Sequence, residues 1–100
     1  MAFRALADPT RRNILQLLAN NNMTIAEVAE NFQMTRAAVK KHLTILQEGN
    51  LISVQVDGRS RLNSLNKDGL SQVLSWFEYF DAFWDERLNT LKTEIEKDMQ

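Results

Sequence analysis

The 100-residue sequence contains no cysteine, and this absence excludes disulfide bridges, thiol nucleophiles and cysteine-based metal sites together. It has a single histidine and a single proline, and no apolar run is long enough for a secretion signal or a membrane span. The sequence offers no nucleophilic set of serine, histidine and aspartate and no glycine-rich phosphate loop. We therefore expect a cytoplasmic protein that is not an enzyme, needs no cofactor or metal ion and does not enter a membrane.

The remaining composition is typical of one small folded domain, with 44% hydrophobic and 25% charged residues. A chain of this length has a modest core, so dimerisation is a natural way to bury more surface. The charge is uneven: residues 1–67 contain nine Lys or Arg and five Asp or Glu, whereas residues 68–100 contain three and eight. This distribution indicates that a polyanion contacts the first part, although a chance fluctuation in surface charge would look the same.

Two helices are predicted near the N-terminus. Phe3 and Leu6, three positions apart, indicate a short leading helix. Asp8 followed by proline is a strong start for the second helix, because the carboxylate accepts from free backbone N–H groups and proline has no such group. This helix is predicted to run to about Ala19, before three consecutive asparagines that favour a turn.

Residues 24–48 have the pattern of a helix-turn-helix motif. Thr24 and Glu27 form a capping box at the start of its first helix. After a short turn, Thr35 caps a second helix that is predicted to run to Glu48 and to end with a C-cap at Gly49. The second helix directs three apolar side chains to the core, namely Val39, Leu43 and Leu46.

A β-hairpin and a last helix follow. Residues 51–65 are predicted to form the hairpin, with Asp57-Gly58 as the two central residues of a type I′ turn, both at positive φ. Residues 67–97 have a helical pattern. The order α-α-α-α-β-β-α predicts a mainly α fold with a small β-hairpin: a winged helix-turn-helix in one domain that spans residues 1–100.

The outward face of the second helix of the motif suits a DNA major groove. Lysines there can neutralise phosphates, an arginine can bond guanine with two hydrogen bonds, and small side chains allow close approach. This face comprises Arg36, Ala37, Lys40, Lys41 and Thr44. The free N–H groups at its N-terminus, next to the Thr35 hydroxyl, form a further phosphate site. A solvated basic face is the alternative.

Arginines also flank the predicted hairpin tip and open the second helix. Arg59 and Arg61 could enter a minor groove or hold phosphates, or they could protect an exposed strand edge. Arg11 and Arg12 are equally compatible with a phosphate contact and with a local ion pair.

Three segments, residues 7–18, 35–46 and 57–61, together resemble ArsR-type bacterial repressors, and the resemblance covers nearly the whole chain. It implies a homodimeric winged-helix repressor on an inverted-repeat operator. The positions it implies for DNA contact are Thr35, Arg36, Ala37, Lys40, Lys41, His42, Arg59 and Arg61.

The sequence departs from the metal sensors of that family. The helix with residues 25–29 lacks the sensor cysteines, and the last helix lacks the clustered Asp and His ligands. The resemblance is therefore to a subgroup without metal-sensing cysteines. His42 alone makes no metal site, and the carboxylates of residues 78–98 indicate a solvated face more than an oxygen-ligand site. Gln33 occupies a turn that often contains glycine, where left-handed backbone would cost about 1 kcal/mol.

The last helix repeats apolar residues every seven positions, which is typical of a helix that packs against a partner. The predicted dimer core combines this seam with the leading helix and comprises Phe3, Leu6, Leu70, Phe77, Phe80, Trp84, Leu88 and Leu91. The alternative is a ligand pocket or protein docking site lined by Trp76, Phe80, Phe83 and Trp84.

The sequence thus predicts a sequence-specific DNA-binding transcriptional repressor that acts as a homodimer on double-stranded operator DNA and does not respond to metal. The sequence leaves open whether an unknown protein or small ligand acts as an effector. The alternative function is a winged-helix interaction module that docks a protein partner through its aromatic last helix.

Overall fold

The computed structural model describes residues 1–80, 89–90 and 93–96. Its elements, in chain order, are α1 Ala2–Leu6, α2 Pro9–Asn20, β1 Met23–Thr24, α3 Ile25–Phe32, α4 Arg36–Glu48, β2 Ile52–Asp57, β3 Ser60–Leu65 and α5 Lys67–Glu78. This order confirms the predicted winged helix-turn-helix and adds a short strand, β1. The chain forms two compact units, Met1–Leu70 and Ser71–Gln100. Among the described residues, no helix combines the length and apolarity that a membrane crossing requires.

The core of the first unit lies between its helices and the sheet. Ile14 of α2, Val28 of α3, and Val39 and Leu46 of α4 are fully buried, as the apolar spacing of each helix requires. On α2 Leu15 and Leu18 are buried as well, whereas Leu17 is half-buried. These contacts fix α4 in the fold by its apolar face and leave the opposite face in solvent.

Side-chain caps begin α2, α3 and α4, as predicted. Asp8 Oδ2 accepts the backbone N–H of Arg11 at 3.0 Å. Thr24 and Glu27 form the reciprocal capping box, with Glu27 N donating to Thr24 Oγ1 at 3.3 Å and Thr24 N donating to Glu27 Oε1 at 3.1 Å. Thr35 Oγ1 accepts from Ala38 N at 3.1 Å. Each cap satisfies a backbone donor that the helix leaves free.

The turn between α3 and α4 has left-handed backbone. Gln33 is the C-cap of α3, with φ 53° and ψ 38°, and its side chain is exposed. Every side chain with a Cβ is strained in this region, whereas glycine is not.

Replacing Gln33 with glycine is therefore expected to stabilise the protein by about 1 kcal/mol, because it relieves this strain and removes no buried contact. Urea unfolding measures the change, and Gln33→Ala, which keeps the strain, is the control. A loss of stability in Gln33→Gly would show that the left-handed backbone carries no strain.

Gly49 is the C-cap of α4, as predicted. Its backbone is ordinary, with φ −77°, and the left-handed residue is Asn50, with φ 62°. Leu51 N donates to Leu46 O and Asn50 N donates to Gln47 O, which together form a Schellman motif.

Gly49 is instead required by the close approach of α1. A Cβ at this position would lie 3.1 Å from Met1 O, 3.2 Å from Ala2 Cα and 3.3 Å from Ala5 Cβ. Since Ala5 is fully buried there, the glycine lets the leading helix pack directly on the end of α4.

The sheet has the order β1-β3-β2 and is antiparallel throughout. β1, which was not predicted from the sequence, pairs Met23 with Asn63 and Thr24 with Leu62. Asn63 is 2% exposed, and its Nδ2 donates to Met23 O at 3.1 Å. This hydrogen bond satisfies a buried amide and holds the wing against the start of α3.

The hairpin turn also differs from the prediction. Asp57 pairs with Ser60 in the ladder, so the central residues are Gly58 and Arg59, not Asp57 and Gly58. Only Gly58 has positive φ, at 60°. A type I′ turn needs positive φ at both central residues, whereas glycine at the first position alone is the pattern of type II′. The shift places Arg59 in the turn itself.

The predicted last helix is interrupted at residues 79 and 80, and residues 89–90 and 93–96 are again helical. α5 ends at Glu78 and is followed by a turn at residues 79 and 80, where the sequence pattern indicates continuous helix from 67 to 97. Phe80 N donates to Phe77 O, three residues back, which is the tighter bonding common at helix ends. Residues 81–88 lie outside the described part of the chain.

Candidate nucleic-acid interface

The outward face of α4 lies in solvent. Arg36, Ala37, Lys40, Lys41 and Thr44 are all exposed, and they lie opposite the buried apolar side of the helix. Thr35, which caps the helix, is exposed as well. The structure therefore brings together the predicted DNA-contacting residues of this helix on one accessible surface.

The wing contributes its arginines to the same region. Arg36 of α4 and the wing residues Arg59 and Arg61 line one groove of about 330 Å³, here called the arginine groove. Its other wall is the N-terminal turn of α3, with Thr24, Ile25 and Ala26, while Ser60 completes the hairpin side. Three guanidinium groups from two distant parts of the sequence thus meet, and no acidic residue is among the described residues that line the groove. Such a groove attracts a phosphate backbone.

A second groove, of about 610 Å³, runs along the outward face of α4 beside α1 and is here called the α1–α4 groove. Its lining residues are Arg4, Ala37, Lys40, Lys41, Thr44, Ile45 and Glu48. Arg4 was not predicted as a site residue, because nothing local in the sequence distinguishes it from any exposed arginine. Its place beside two lysines of α4 results from the packing of α1.

His42 is turned away from the outward face. Its Nδ1 lies 3.4 Å from Arg11 Nη1 and 3.9 Å from Asp8 Oδ2, and the side chain is 21% exposed. A hydrogen bond from Arg11 to this nitrogen requires that Nδ1 carries no proton. The DNA contact implied for His42 by the family resemblance stays a prediction, and the structure places this side chain at the start of α2.

Arg11 and Arg12 bind the leading helix. Arg11 Nε donates to Ala5 O at 2.9 Å and Nη2 donates to Arg4 O at 3.1 Å, while Arg12 Nη1 donates to Leu6 O at 2.8 Å. Neither predicted role, a phosphate contact or a local ion pair, describes these three bonds. The bonds to Ala5 O and Leu6 O satisfy carbonyl groups that the end of α1 leaves free, whereas Arg4 O also accepts the Ala7 N–H.

Asp8 completes this cluster as a charged group. The pKa of its carboxyl lies below the ordinary value, first because it accepts the Arg11 backbone N–H and further because Arg11 and His42 lie nearby. At neutral pH the carboxylate is therefore ionised, and its charge complements the N-terminus of α2.

The predicted dimerisation residues are partly accessible. Phe3 is 49% and Phe77 51% exposed, and Leu6, Leu70 and Phe80 are half-buried. In the second unit, the rings of Trp76 and Phe80 meet edge to face at 4.9 Å, which supplies two of the four side chains of the alternative pocket. Outside the described residues lie Phe83, Trp84, Leu88 and Leu91. In the described part of the chain, no group of three or more His, Asp or Glu could hold a metal ion.

Comparisons with known proteins match both the sequence and the fold. Residues 8–54 match the family model described as bacterial regulatory protein, ArsR family. The chain is 37% identical to the transcriptional repressor SdpR of Bacillus subtilis over 78% of this chain and 87% of that protein.

Solved structures of related regulators have a similar fold. An ArsR-like transcriptional regulator from Rhodococcus sp. RHA1 has a TM-score of 0.76 and 30% identity, covering 95% of this chain and 87% of that one. The homodimeric winged helix-turn-helix DNA-binding domain of Mb0332 from Mycobacterium bovis has a TM-score of 0.67 and 20% identity, covering 78% and 72%. The second likeness shows the fold alone.

Proposed function

The chain belongs to the ArsR family of bacterial transcriptional regulators, and from this premise we propose that it is a repressor that binds operator DNA as a homodimer. In each protomer α4 enters the major groove, and the wing contacts the phosphate backbone beside it. The protein is a regulator and not an enzyme, as the family indicates.

The arginine groove is the observation that carries this proposal. Arg36 stands at the start of α4, and Arg59 and Arg61 lie in the wing, yet all three line the same groove. A phosphate backbone in this groove would place the outward face of α4 in the adjacent major groove, because the helix and the wing flank the groove. The N-terminal turn of α3 adds backbone N–H groups to the same wall.

The outward face of α4 has the chemistry for base recognition. Arg36 can donate two parallel hydrogen bonds to guanine, and the methyl group of Ala37 can contact thymine. Lys40 and Lys41 neutralise phosphates on the two edges of the groove, and Thr44 donates or accepts as its rotamer requires. We propose that these exposed side chains make the contacts to the operator.

The dimer is proposed from the apolar surface of the two units. Leu74 is 57% exposed and Phe77 51% exposed on α5, and Phe3 on α1 is 49% exposed. A second copy would remove such side chains from water, and a two-fold dimer would place two α4 helices about 34 Å apart on the DNA. The homodimeric Mycobacterium bovis domain with the same fold supports this arrangement. The operator is then an inverted repeat.

Two changes should separate base recognition from backbone contact. Arg36→Ala is expected to lower the affinity by about 1–3 kcal/mol for the operator and to relax the preference at one base pair. Arg59→Ala is expected to weaken every DNA sequence alike, because a phosphate contact carries no sequence information. Fluorescence anisotropy with the operator and with single-base-pair variants measures both effects. Equal losses on all sequences for both variants would contradict these roles.

We also propose that repression does not depend on a metal ion. The chain has no cysteine, which removes the thiolate ligands that soft metals require. DNA affinity with added chelator should therefore equal the affinity with added Zn²⁺, Ni²⁺ or Co²⁺. A metal-dependent loss of DNA binding would overturn this part of the proposal without affecting the DNA-binding role.

A second candidate function rests on the aromatic cluster of the second unit. Trp76 is 50% and Tyr79 82% exposed, and Trp76 and Tyr79 each meet the ring of Phe80 edge to face. Such a surface also suits the docking of another protein. Light scattering with gel filtration discriminates between the two candidate functions. A stable dimer of the chain alone supports the repressor, whereas a monomer favours the docking module.

A further inference from the structure

The leading helix α1 is held against α4 at several points. Gly49 leaves room for the backbone of Ala2 and for Met1 O at the end of α4, and Ala5 is fully buried. A helix of five residues is too short to be stable alone in water. Its position must therefore come from these tertiary contacts.

Side chains of α2 secure the other end of α1. Arg11 donates to the carbonyl groups of Arg4 and Ala5, and Arg12 donates to the carbonyl of Leu6. These bonds use the backbone of Arg4 and leave its side chain uninvolved. The backbone position of residue 4 is thus determined independently of what its guanidinium binds.

The side chain of Arg4 lies in the α1–α4 groove beside Lys40 and Lys41. It is exposed, and among the described residues its guanidinium has no hydrogen-bond or ion-pair partner. Small side chains, Ala37 and Thr44, form part of the lining and allow DNA to approach closely. Three cationic groups face one carboxylate in this groove, which makes it complementary to a polyanion.

We propose that Arg4 binds a phosphate of the same DNA duplex whose major groove α4 enters, so that α1 is part of the DNA interface. This inference rests on the proposed function and extends it to an element outside the helix-turn-helix motif and the wing. The α1–α4 groove and the arginine groove together place cationic groups of α1, α4 and the wing around the outward face of α4. Phosphate contacts of this kind fix the register and orientation of the recognition helix on the duplex.

The test compares Arg4→Ala with the unchanged protein by anisotropy, on an operator duplex and on an unrelated duplex, across a salt series. We expect about a 10-fold loss of affinity on both duplexes, and a salt slope that is smaller by about two, one for each protomer. Arg4→Lys should keep the slope, because the charge remains. Lys67→Ala removes an exposed cation that lines neither groove and should change neither quantity.

The outcomes separate this inference from the proposed function. If the unchanged protein binds with a steep salt slope and Arg4→Ala has the same slope, the inference is wrong and the proposed function stands. A loss of affinity on the operator duplex alone would show that Arg4 contacts a base and not a phosphate, and it would also overturn the inference. If the unchanged protein binds neither duplex, the proposed function fails first. Because the bonds to α1 use backbone carbonyls, we expect Arg4→Ala to melt at the same temperature as the unchanged protein.

Discussion

Raising the salt concentration from about 50 to about 200 mM is expected to weaken operator binding by about 10³- to 10⁵-fold, as for a protein that contacts six to ten phosphates. In each protomer four exposed cationic groups are proposed to contact phosphates, namely Arg59, Arg61, Lys40 and Lys41. When such groups neutralise phosphates, condensed counterions leave the DNA. Added salt opposes their release.

The double variant Arg59→Ala, Arg61→Ala measures the contribution of the wing to the salt dependence of DNA binding. It removes two cations from each protomer, so the slope of log affinity against log salt should be smaller by about four in the dimer. Ser60→Ala, between the two arginines on the same hairpin, is the matched control because it leaves every charge in place. An unchanged slope in the double variant would place the wing away from the DNA, and binding that is insensitive to salt would refute the proposed function.

Replacing Leu46 with alanine is expected to destabilise the protein by about 2–5 kcal/mol, the range for removing a buried leucine side chain. Leu46 is fully buried in α4, and its carbonyl accepts the Leu51 N–H of the Schellman motif. The substitution leaves a cavity under the recognition helix and keeps the backbone bond. Urea unfolding measures the loss of stability. The urea concentration at the midpoint should fall, while the dependence of the unfolding free energy on urea concentration stays the same.

Thr44→Ala on the same helix is the matched control for this prediction. Thr44 is exposed on the outward face, so its removal should change the free energy of unfolding by less than about 0.5 kcal/mol. Its expected effect is on DNA affinity instead. If both substitutions cost the same stability, the division of α4 into a buried side and an outward side would be incorrect.

The helix starts were predictable because their signals are local. Asp8, Thr24 and Thr35 each cap a helix through a backbone N–H three residues later, within the reach of one helical turn. The periodic apolar residues of α4 likewise identify its buried side. Such features need only neighbouring residues, so a sequence alone reveals them.

The misjudged features depend on distant partners. β1 is two residues long and forms because β3 supplies its hydrogen-bonding partners. A strand this short has no periodic pattern from which it could be predicted. The hairpin turn is shifted by one residue, because the register of β2 on β3 places Gly58 and Arg59 at its centre. Pairing along the whole strand determines this register, and a two-residue turn signal is too short to decide it.

The contact of the glycine after α4 with α1 also depends on a distant partner. Gly49 ends the helix as predicted, its backbone is ordinary, and the missing side chain matters because α1 lies against it. His42 faces Asp8 and Arg11, which lie far from it in the sequence. Contacts across the fold, which spacing does not encode, decide both.

The family resemblance, the starts of α2, α3 and α4 and the outward face of α4 are evident from the sequence alone. The helix starts follow from caps, and the outward face follows from the periodicity of one helix. The tertiary structure is what brings the charged groups together. It joins Arg36 to the wing arginines in one groove, and it sets Arg4 beside Lys40 and Lys41 in the other. The physical reason is that helix signals act over a single turn, whereas a binding surface forms from elements that the packing of the core brings together.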